Sequence, residues 1–295
     1  MPGPKPSIEC AVRSSDRLGE TPLWCDRTCK LWWIDVEAPS LQSFDPATGH
    51  HEVRPAPGGC IGSLALTQSD RLLAAIDLHL HFIDPADGAT ETFVQVERDL
   101  DNRLNDGRVD PSGRLWIGTL DNELRRPSAS LYRIEPDGRA TKMFGDVIVT
   151  NWIAQAPESK TMYFTDTRRF LTWVFDIDPE DGVIVARRVF ADYRSTGDRP
   201  DGACIDVDGC LWQAFFSGAR IVRYAPDGRI DREIKLPTTN PTCMCFGGRD
   251  LSTLYVTTAT KFLTPEQIAS EPLSGSLLAI RGVGQGLPEH RFGRT

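Results

Sequence analysis

The chain has 295 residues, 40% of them apolar, and 33 basic against 41 acidic residues give a net charge of −8. That length allows one large domain or two ordinary ones, and the apolar share suffices for a sizeable core. An acidic surface without a basic patch excludes a phosphate backbone as the expected partner, and no apolar run nears the roughly 20 residues that span a bilayer.

The opening stretch Met1-Pro2-Gly3-Pro4-Lys5-Pro6 lacks the apolar core of a secretory signal. Eight cysteines are few for so long a chain and do not stand in zinc-finger spacing, so reduced, mostly buried thiols are expected. A cytoplasmic protein, monomeric or weakly homo-oligomeric, with no nucleic-acid or membrane partner, is the expectation.

Ile8 to Val12 reads as a short strand with no partner of its own. From Leu18 onward one phrase recurs: a strand, a polar turn, and an apolar strand entered at Leu or Met. The entry residues are Leu31, Leu72, Leu115, Met162, Leu211 and Leu254, at intervals of 41, 43, 47, 49 and 43 residues. These intervals fall in or near the ~40–50-residue period of propeller blades. Turns such as Asp110-Pro111-Ser112-Gly113 and Asp206-Val207-Asp208-Gly209 have the chemistry of tight hairpins. A third strand ends in Phe44-Asp45-Pro46-Ala47-Thr48-Gly49 in the first repeat and Ile83-Asp84-Pro85-Ala86-Asp87-Gly88 in the second. The fourth repeat has the matching Ile177-Asp178-Pro179-Glu180-Asp181-Gly182. A more polar fourth strand follows in five repeats. The sixth has only three: Cys243 to Phe246, Leu254 to Thr258 and Ser276 to Ile280. The expected fold is all-β, a single six-bladed β-propeller over residues 1–295 with four antiparallel strands per blade, the ring closed by the N-terminal strand.

In such a fold the first strand of each blade lines a channel, so one phase of the repeat meets around the axis. Glu20 and Asn151 lie 11 residues before their entry residues, and Asn105 and Asp201 lie 10 before theirs. A turn one residue longer in the first and fourth repeats accounts for the difference. The other two repeats carry Gly62 and Thr242 near this phase. Two carboxylates and two amides facing one point repel or go unsatisfied unless something positive sits between them, and oxygen donors suit hard cations. The local alternative is that Asn105-Asp106-Gly107 and Pro200-Asp201-Gly202 are ordinary turns. His79 and His81 share a strand face as a possible metal pair away from the channel, and His50-His51 is expected to be solvated. The seven tryptophans are expected in the blade core.

Leu18-Gly19-Glu20-x-Pro22-x-Trp24, Arg103-x-Asn105-Asp106-Gly107-x-x-Asp110-x-x-Gly113 and Pro200-Asp201-Gly202 resemble motifs of the senescence marker protein/gluconolactonase/luciferin-regenerating family. Gly118-Thr119, Cys245-Phe246-Gly247-Gly248 and Gly286-Leu287-Pro288-Glu289 add to the likeness, which covers about residues 8 to 292. The resemblance implies hydrolysis of a sugar lactone with one divalent cation (Ca, Zn, Mn, Mg or Fe) held by Glu20, Asn151 and Asp201. It further implies that Asp201 is the general base and that Arg103, Asn105 and Glu123 contact substrate hydroxyls. The family often has Gly where this chain has Thr21 and Trp152, so Trp152 is expected beside the ligand, narrowing the pocket or stacking on a sugar. An aldonolactone of a pentose or hexose is the expected substrate. An aryl-ester or organophosphate hydrolase and a non-catalytic propeller scaffold with a structural cation are the alternatives.

Overall fold

The computed structural model describes residues 6–156, 160–178 and 180–293. Met1–Lys5 of the opening stretch and Pro179 of the fourth repeat's turn lie outside them. Short runs rich in β-branched and aromatic residues, broken by Asp, Pro and Gly, form strands rather than helices. β1 (Ser7–Val12) precedes the repeats. The first repeat folds as β2 (Gly19–Cys25), β3 (Lys30–Asp35), β4 (Ser40–Asp45) and β5 (His50–Pro55). The second is β6 (Ile61–Leu66), β7 (Leu72–Ile76), β8 (His79–Ile83) and β9 (Thr90–Gln95). The third is β10 (Asn102–Val109), β11 (Leu115–Asp121), β12 (Ala129–Ile134) and β13 (Ala140–Val147). The fourth is β14 (Thr150–Gln155), β15 (Thr161–Asp166), β16 (Leu171–Ile177) and β17 (Ile184–Asp192). The fifth is β18 (Arg199–Ile205), β19 (Leu211–Phe216), β20 (Arg220–Tyr224) and β21 (Ile230–Lys235). The sixth is β22 (Pro241–Gly247), β23 (Thr253–Thr258), a short helix α1 (Pro265–Ser270) and β24 (Leu277–Arg281).

Each repeat is one four-stranded sheet in sequence order, except the sixth, whose order is β1-β24-β23-β22. β1 pairs antiparallel with β24 from Ser7↔Arg281 to Val12↔Leu277, so the N-terminal strand supplies the missing fourth strand. The fold is the expected six-bladed β-propeller. The chain separates into two compact units: residues up to Pro55 with Asp201–Pro288, and Ala56–Pro200 with Glu289 onward. The first unit holds sheets one, five and six; the second holds sheets two, three and four. No helix among the described residues is long and apolar enough to cross a membrane.

Within each unit, apolar residues of adjacent sheets interleave. In the first, Trp212 and Ile221 pack with Met244, Phe246 and Leu254, and Trp24 and Leu31 pack with Cys245 and Tyr255. In the second, Leu104 and Ile117 pack with Ala65 and Leu73, and Trp116 packs with Ile153, Met162 and Phe164. All seven tryptophans are buried. None of the eight cysteines, all among the described residues, is joined in a disulfide. His51 departs from expectation: it is half-buried, its ring stacks on Trp33 at 5.2 Å, and its Nε2 lies 2.9 Å from Gln42 Oε1.

The turns do more than reverse the chain. Asp206 accepts from the backbone N–H groups of Asp208 and Cys210 with one oxygen, and from Trp212 Nε1 and Arg223 Nε with the other. Asp110 does the same in the third sheet with Ser112, Arg114 and Trp116. A turn acid thereby ties down the second strand's core tryptophan.

The register explains the two spacings seen in the sequence. Leu31 faces Trp24 and Met162 faces Gln155, seven residues back, whereas Leu115 faces Val109, six back. Glu20 pairs with Ile34 and Asn151 with Thr165, each the third residue after its entry residue. A bulge follows at once, between Glu20 and Leu23 and between Asn151 and Ile153, and matching irregularities interrupt β6, β10 and β22. Thr21 and Trp152 sit at these bulges with φ of 48° and 34°. That is left-handed backbone, which glycine adopts freely and a side chain resists by about 1–2 kcal/mol. Glycine is the residue such positions favour, and this chain carries the strain.

Two stability predictions follow from these contacts. Asp206→Ala leaves Arg223 and Trp212 without their buried acceptor, and urea unfolding is expected to show a loss of about 3–5 kcal/mol; a loss below about 1 kcal/mol would remove the clasp as a stabilising element. Thr21→Gly relieves the left-handed strain and removes a buried hydroxyl that has no partner. It is expected to raise stability by about 1 kcal/mol, or the melting temperature by roughly 2–4 °C. Thr21→Val, which removes only the hydroxyl, should rise by less, and a lower melting temperature for the glycine variant would contradict the assignment of strain.

Candidate functional site

In the second unit, the phase residues form a hydrogen-bonded line. Arg103 Nη1 donates to Leu104 O and to Asn105 Oδ1 at 3.0 Å. Asn105 Nδ2 donates to Thr150 O and to Asn151 Oδ1, at 2.7 and 3.0 Å. Asn151 Nδ2 donates to Thr167 Oγ1, whose hydroxyl passes on to Pro200 O, the residue before Asp201 in the chain. The line settles which end of each amide is oxygen. Asn151 accepts one hydrogen bond at Oδ1, and one lone pair there remains for a ligand.

The close approach of these strands depends on Gly62, whose absent Cβ would stand 2.3 Å from Leu104 O. Gly62 at the phase position is thus a spacing residue. Asp106, between Asn105 and Gly107, is buried. Burial pushes its carboxyl up to about 6, against the pull of the Arg108 charge and the Gly107 N–H.

In the first unit, β2 presents Glu20 and β18 presents Asp201. Glu20 is half-buried, with Oε2 accepting from the Thr21 N–H at 3.1 Å. Asp201 is 5% exposed, and its carbonyl accepts from Gln213 Nε2 at 2.7 Å. Thr242 donates its hydroxyl to Gly19 O, and its Oγ1 lies 2.9 Å from Thr257 Oγ1. Gly202 lets β18 lie against β22, because a Cβ there would stand 2.4 Å from the Cys243 side chain.

Equivalent acids hold the loops that lead to the phase residues. Asp35 accepts from Arg17 and Leu18 N–H, just ahead of Glu20. Asp166 accepts from Ile148 and Val149 N–H, just ahead of Asn151. Burial pushes the Asp166 carboxyl up, while those backbone N–H groups hold it down. Asp35 and Asp166 are anchors for the site loops. Thr167 is the contributor that sequence reasoning missed, because a threonine one residue past a strand carries no signal of its partner.

Two expected substrate residues stand differently. Trp152 has no exposed surface, and its ring stacks on Tyr163 with centroids 5.6 Å apart. The left-handed backbone turns it into the blade, so it is a packing residue and offers no face to a sugar. Glu123 is exposed in the turn after β11, and its carboxylate makes no hydrogen bond among the described residues. His79 and His81 have rings 6.0 Å apart, with His81 Nδ1 on Thr92 Oγ1.

Among the described residues no group of three His, Cys, Asp or Glu side chains gathers as a metal cage. The expected set differs in kind, with two carboxylates and one amide. An acid as buried as Asp201 and an amide oxygen with its orientation fixed are oxygen donors suited to a hard cation. The residues present therefore fit such an ion.

A family model described as "SMP-30/Gluconolactonase/LRE-like region" matches residues 18–260. The chain is 37% identical over 290 residues to a 6-deoxy-6-sulfogluconolactonase of Pseudomonas putida, covering 97% of this chain and 98% of that one. It is 32% identical to regucalcin of Gallus gallus, with 97% and 98% coverage. Its structure resembles the crystal structure of a calcium-binding protein, regucalcin, from Agrobacterium tumefaciens, with a TM-score of 0.90, 30% identity and 96% of each chain covered. With its motifs, its six sheets and these relatives in agreement, the chain belongs to the SMP-30/gluconolactonase/LRE-like family.

Proposed function

We propose that this chain is a lactonase that hydrolyses a sugar lactone, an aldonolactone of a pentose or hexose, to the sugar acid. In this proposal one propeller domain over residues 1–295 holds a divalent cation through Glu20, Asn151 and Asp201. The observation that carries it is the orientation of Asn151 by Asn105 and Thr167, with an oxygen lone pair left over, at the same strand phase as two carboxylates. The lactonase among its relatives supports the reaction class.

Lactone opening needs a polarised carbonyl and an activated water. A divalent cation bound there supplies Lewis acidity and a lowered water pKa. Asp201, as a carboxylate with little solvent around it, takes the proton from the attacking water, an assistance worth roughly 10²–10⁴-fold. Arg103 offers the lactone's oxygens its guanidinium edge, because only Nη1 is spent on the protein. Asn105 is a positioning residue: both hydrogens of its amide go to Thr150 O and Asn151, so it holds Arg103 and Asn151 in place. Glu123 is kept as an acceptor for a sugar hydroxyl. Trp152 is left out of substrate contact. A cytoplasmic, monomeric or weakly self-associating enzyme belongs to the same proposal, supported by composition and charge.

Asp201→Asn is expected to lower kcat by at least about 10²-fold on a sugar-lactone panel followed by proton release; near wild-type turnover would sink the role as base. Chelation is expected to abolish turnover and to lower the melting temperature, with both restored by the ion that binds. Aryl-ester turnover without lactone turnover would favour the aryl-ester or organophosphate alternative. No hydrolysis under any metal condition would leave a scaffold.

A further inference from the structure

A cavity of about 540 Å³ opens beside Arg103 within the second unit, a volume ordinary for small-molecule sites. Its walls include Asp77 after β7, His79 on β8, Gln95 on β9, Arg103 on β10 and Asn122 after β11. Nothing in the proposed hydrolysis uses Asp77, His79, Gln95 or Asn122.

The polar groups on these walls are only partly satisfied by the protein. Arg103 spends Nη1 on Leu104 O and Asn105 Oδ1, and its Nε and Nη2 meet no acceptor among the described residues. The half-buried Gln95 side chain makes no hydrogen bond among the described residues. Asn122 donates Nδ2 to Asp101 and keeps Oδ1. The Asp77 side chain accepts one N–H, from Gly59 at 3.3 Å, and no cation pairs with it among the described residues. The cavity thus sets guanidinium and amide donors beside carboxylate and amide acceptors.

One positive and one negative group cancel, so an anion drawn to Arg103 also meets the charge of Asp77. A neutral ligand with several hydroxyls, each both donor and acceptor, satisfies both ends. The geometry also orients that ligand. Arg103 joins through Asn105 to Asn151, so a molecule on the open edge of Arg103 has one end toward the phase residues and the rest in the cavity.

We propose that this cavity is the subsite for the exocyclic polyol tail of the lactone, read by Arg103, Asp77 and Gln95, and that it confers preference for hexonolactones over shorter ones. The proposal rests on the lactonase reading for the identity of the reacting end, but the tail subsite can be observed without turnover.

Two measurements on the full-length protein test it. The ratio of kcat/KM for a hexono-1,4-lactone to that for tail-less γ-butyrolactone is expected to fall roughly fivefold to tenfold in Gln95→Leu and in Asp77→Asn. Asn tolerates the left-handed backbone at position 77, where φ is 52°, so folding is retained in that variant. An unchanged ratio in both overturns the subsite. Independently, saturation-transfer NMR with D-glucitol is expected to show contact in the wild type that weakens in Gln95→Leu. Glucitol contact that is absent from the wild type, or equal in the variant, overturns the proposal whatever the turnover. Glucitol contact in a protein that opens no lactone keeps the subsite and removes the lactonase reading. A phosphorylated hexitol that binds more than tenfold tighter than glucitol overturns the neutral-polyol assignment in favour of an anion.

Discussion

A four-stranded sheet with three apolar strands and one solvated strand cannot bury both faces by itself, and most of this molecule follows from that constraint. The fourth strands show it: β17 and β21 are mostly exposed, while β6, β22 and β23 are buried throughout. Within each unit the sheets press together through tryptophan and aliphatic layers, and the first strands lie close enough that small residues are required between them. Gly62 and Gly202 mark these approaches, since any side chain there would enter the neighbouring strand. Close first strands bring side chains of one repeat phase to a common neighbourhood within each unit. The hydrogen bond between Asn105 and Asn151, from adjacent sheets, is the direct result.

Packing alone would leave those side chains aligned with the strand pleat. The bulge immediately after the phase residue changes this, because an extra residue bends the strand and re-aims what precedes it. Its cost is visible in Thr21 and Trp152, both held in left-handed backbone. Strain of this kind persists only where the surroundings over-determine it. Asp35 and Asp166 provide part of that determination by gripping the two backbone N–H groups ahead of each phase residue. The burial of the Trp152 ring against Tyr163 provides another part.

The molecule tolerates many buried acids because most are tied to backbone or arginine donors. Asp110 and Asp206 each hold three such donors and a core indole. Asp106 is the contrast: it is as deeply buried, lies next to Asn105, and keeps one oxygen without a hydrogen-bond partner. Burial pushes the carboxyl so placed up to about 6.

Much of the architecture was legible along the chain, because blade packing depends on local signals repeated six times. Entry residues at regular intervals, Asp-Pro-Gly turns and the unpartnered Ile8–Val12 stretch sufficed for six sheets and for the completion of the last. The one-residue difference between the Glu20 and Asn105 spacings likewise had its cause in turn length, a local property. Contacts between sheets were not legible. Nothing adjacent in sequence tells that Thr167 carries Asn151 to Pro200, that Gln95 and Asp77 share a cavity with Arg103, or that His51 leaves solvent for Trp33. The Trp152 side chain went the other way for the same reason: identity and phase do not reveal a positive φ, and that single dihedral sends the ring into the blade. The sequence by itself determined the repeat, the strands and the oxygen-bearing phase, since those rest on periodicity and turn chemistry. Only the tertiary structure decided which of those side chains meet and where they point, because bulge geometry and packing between sheets are set by residues far apart in the chain.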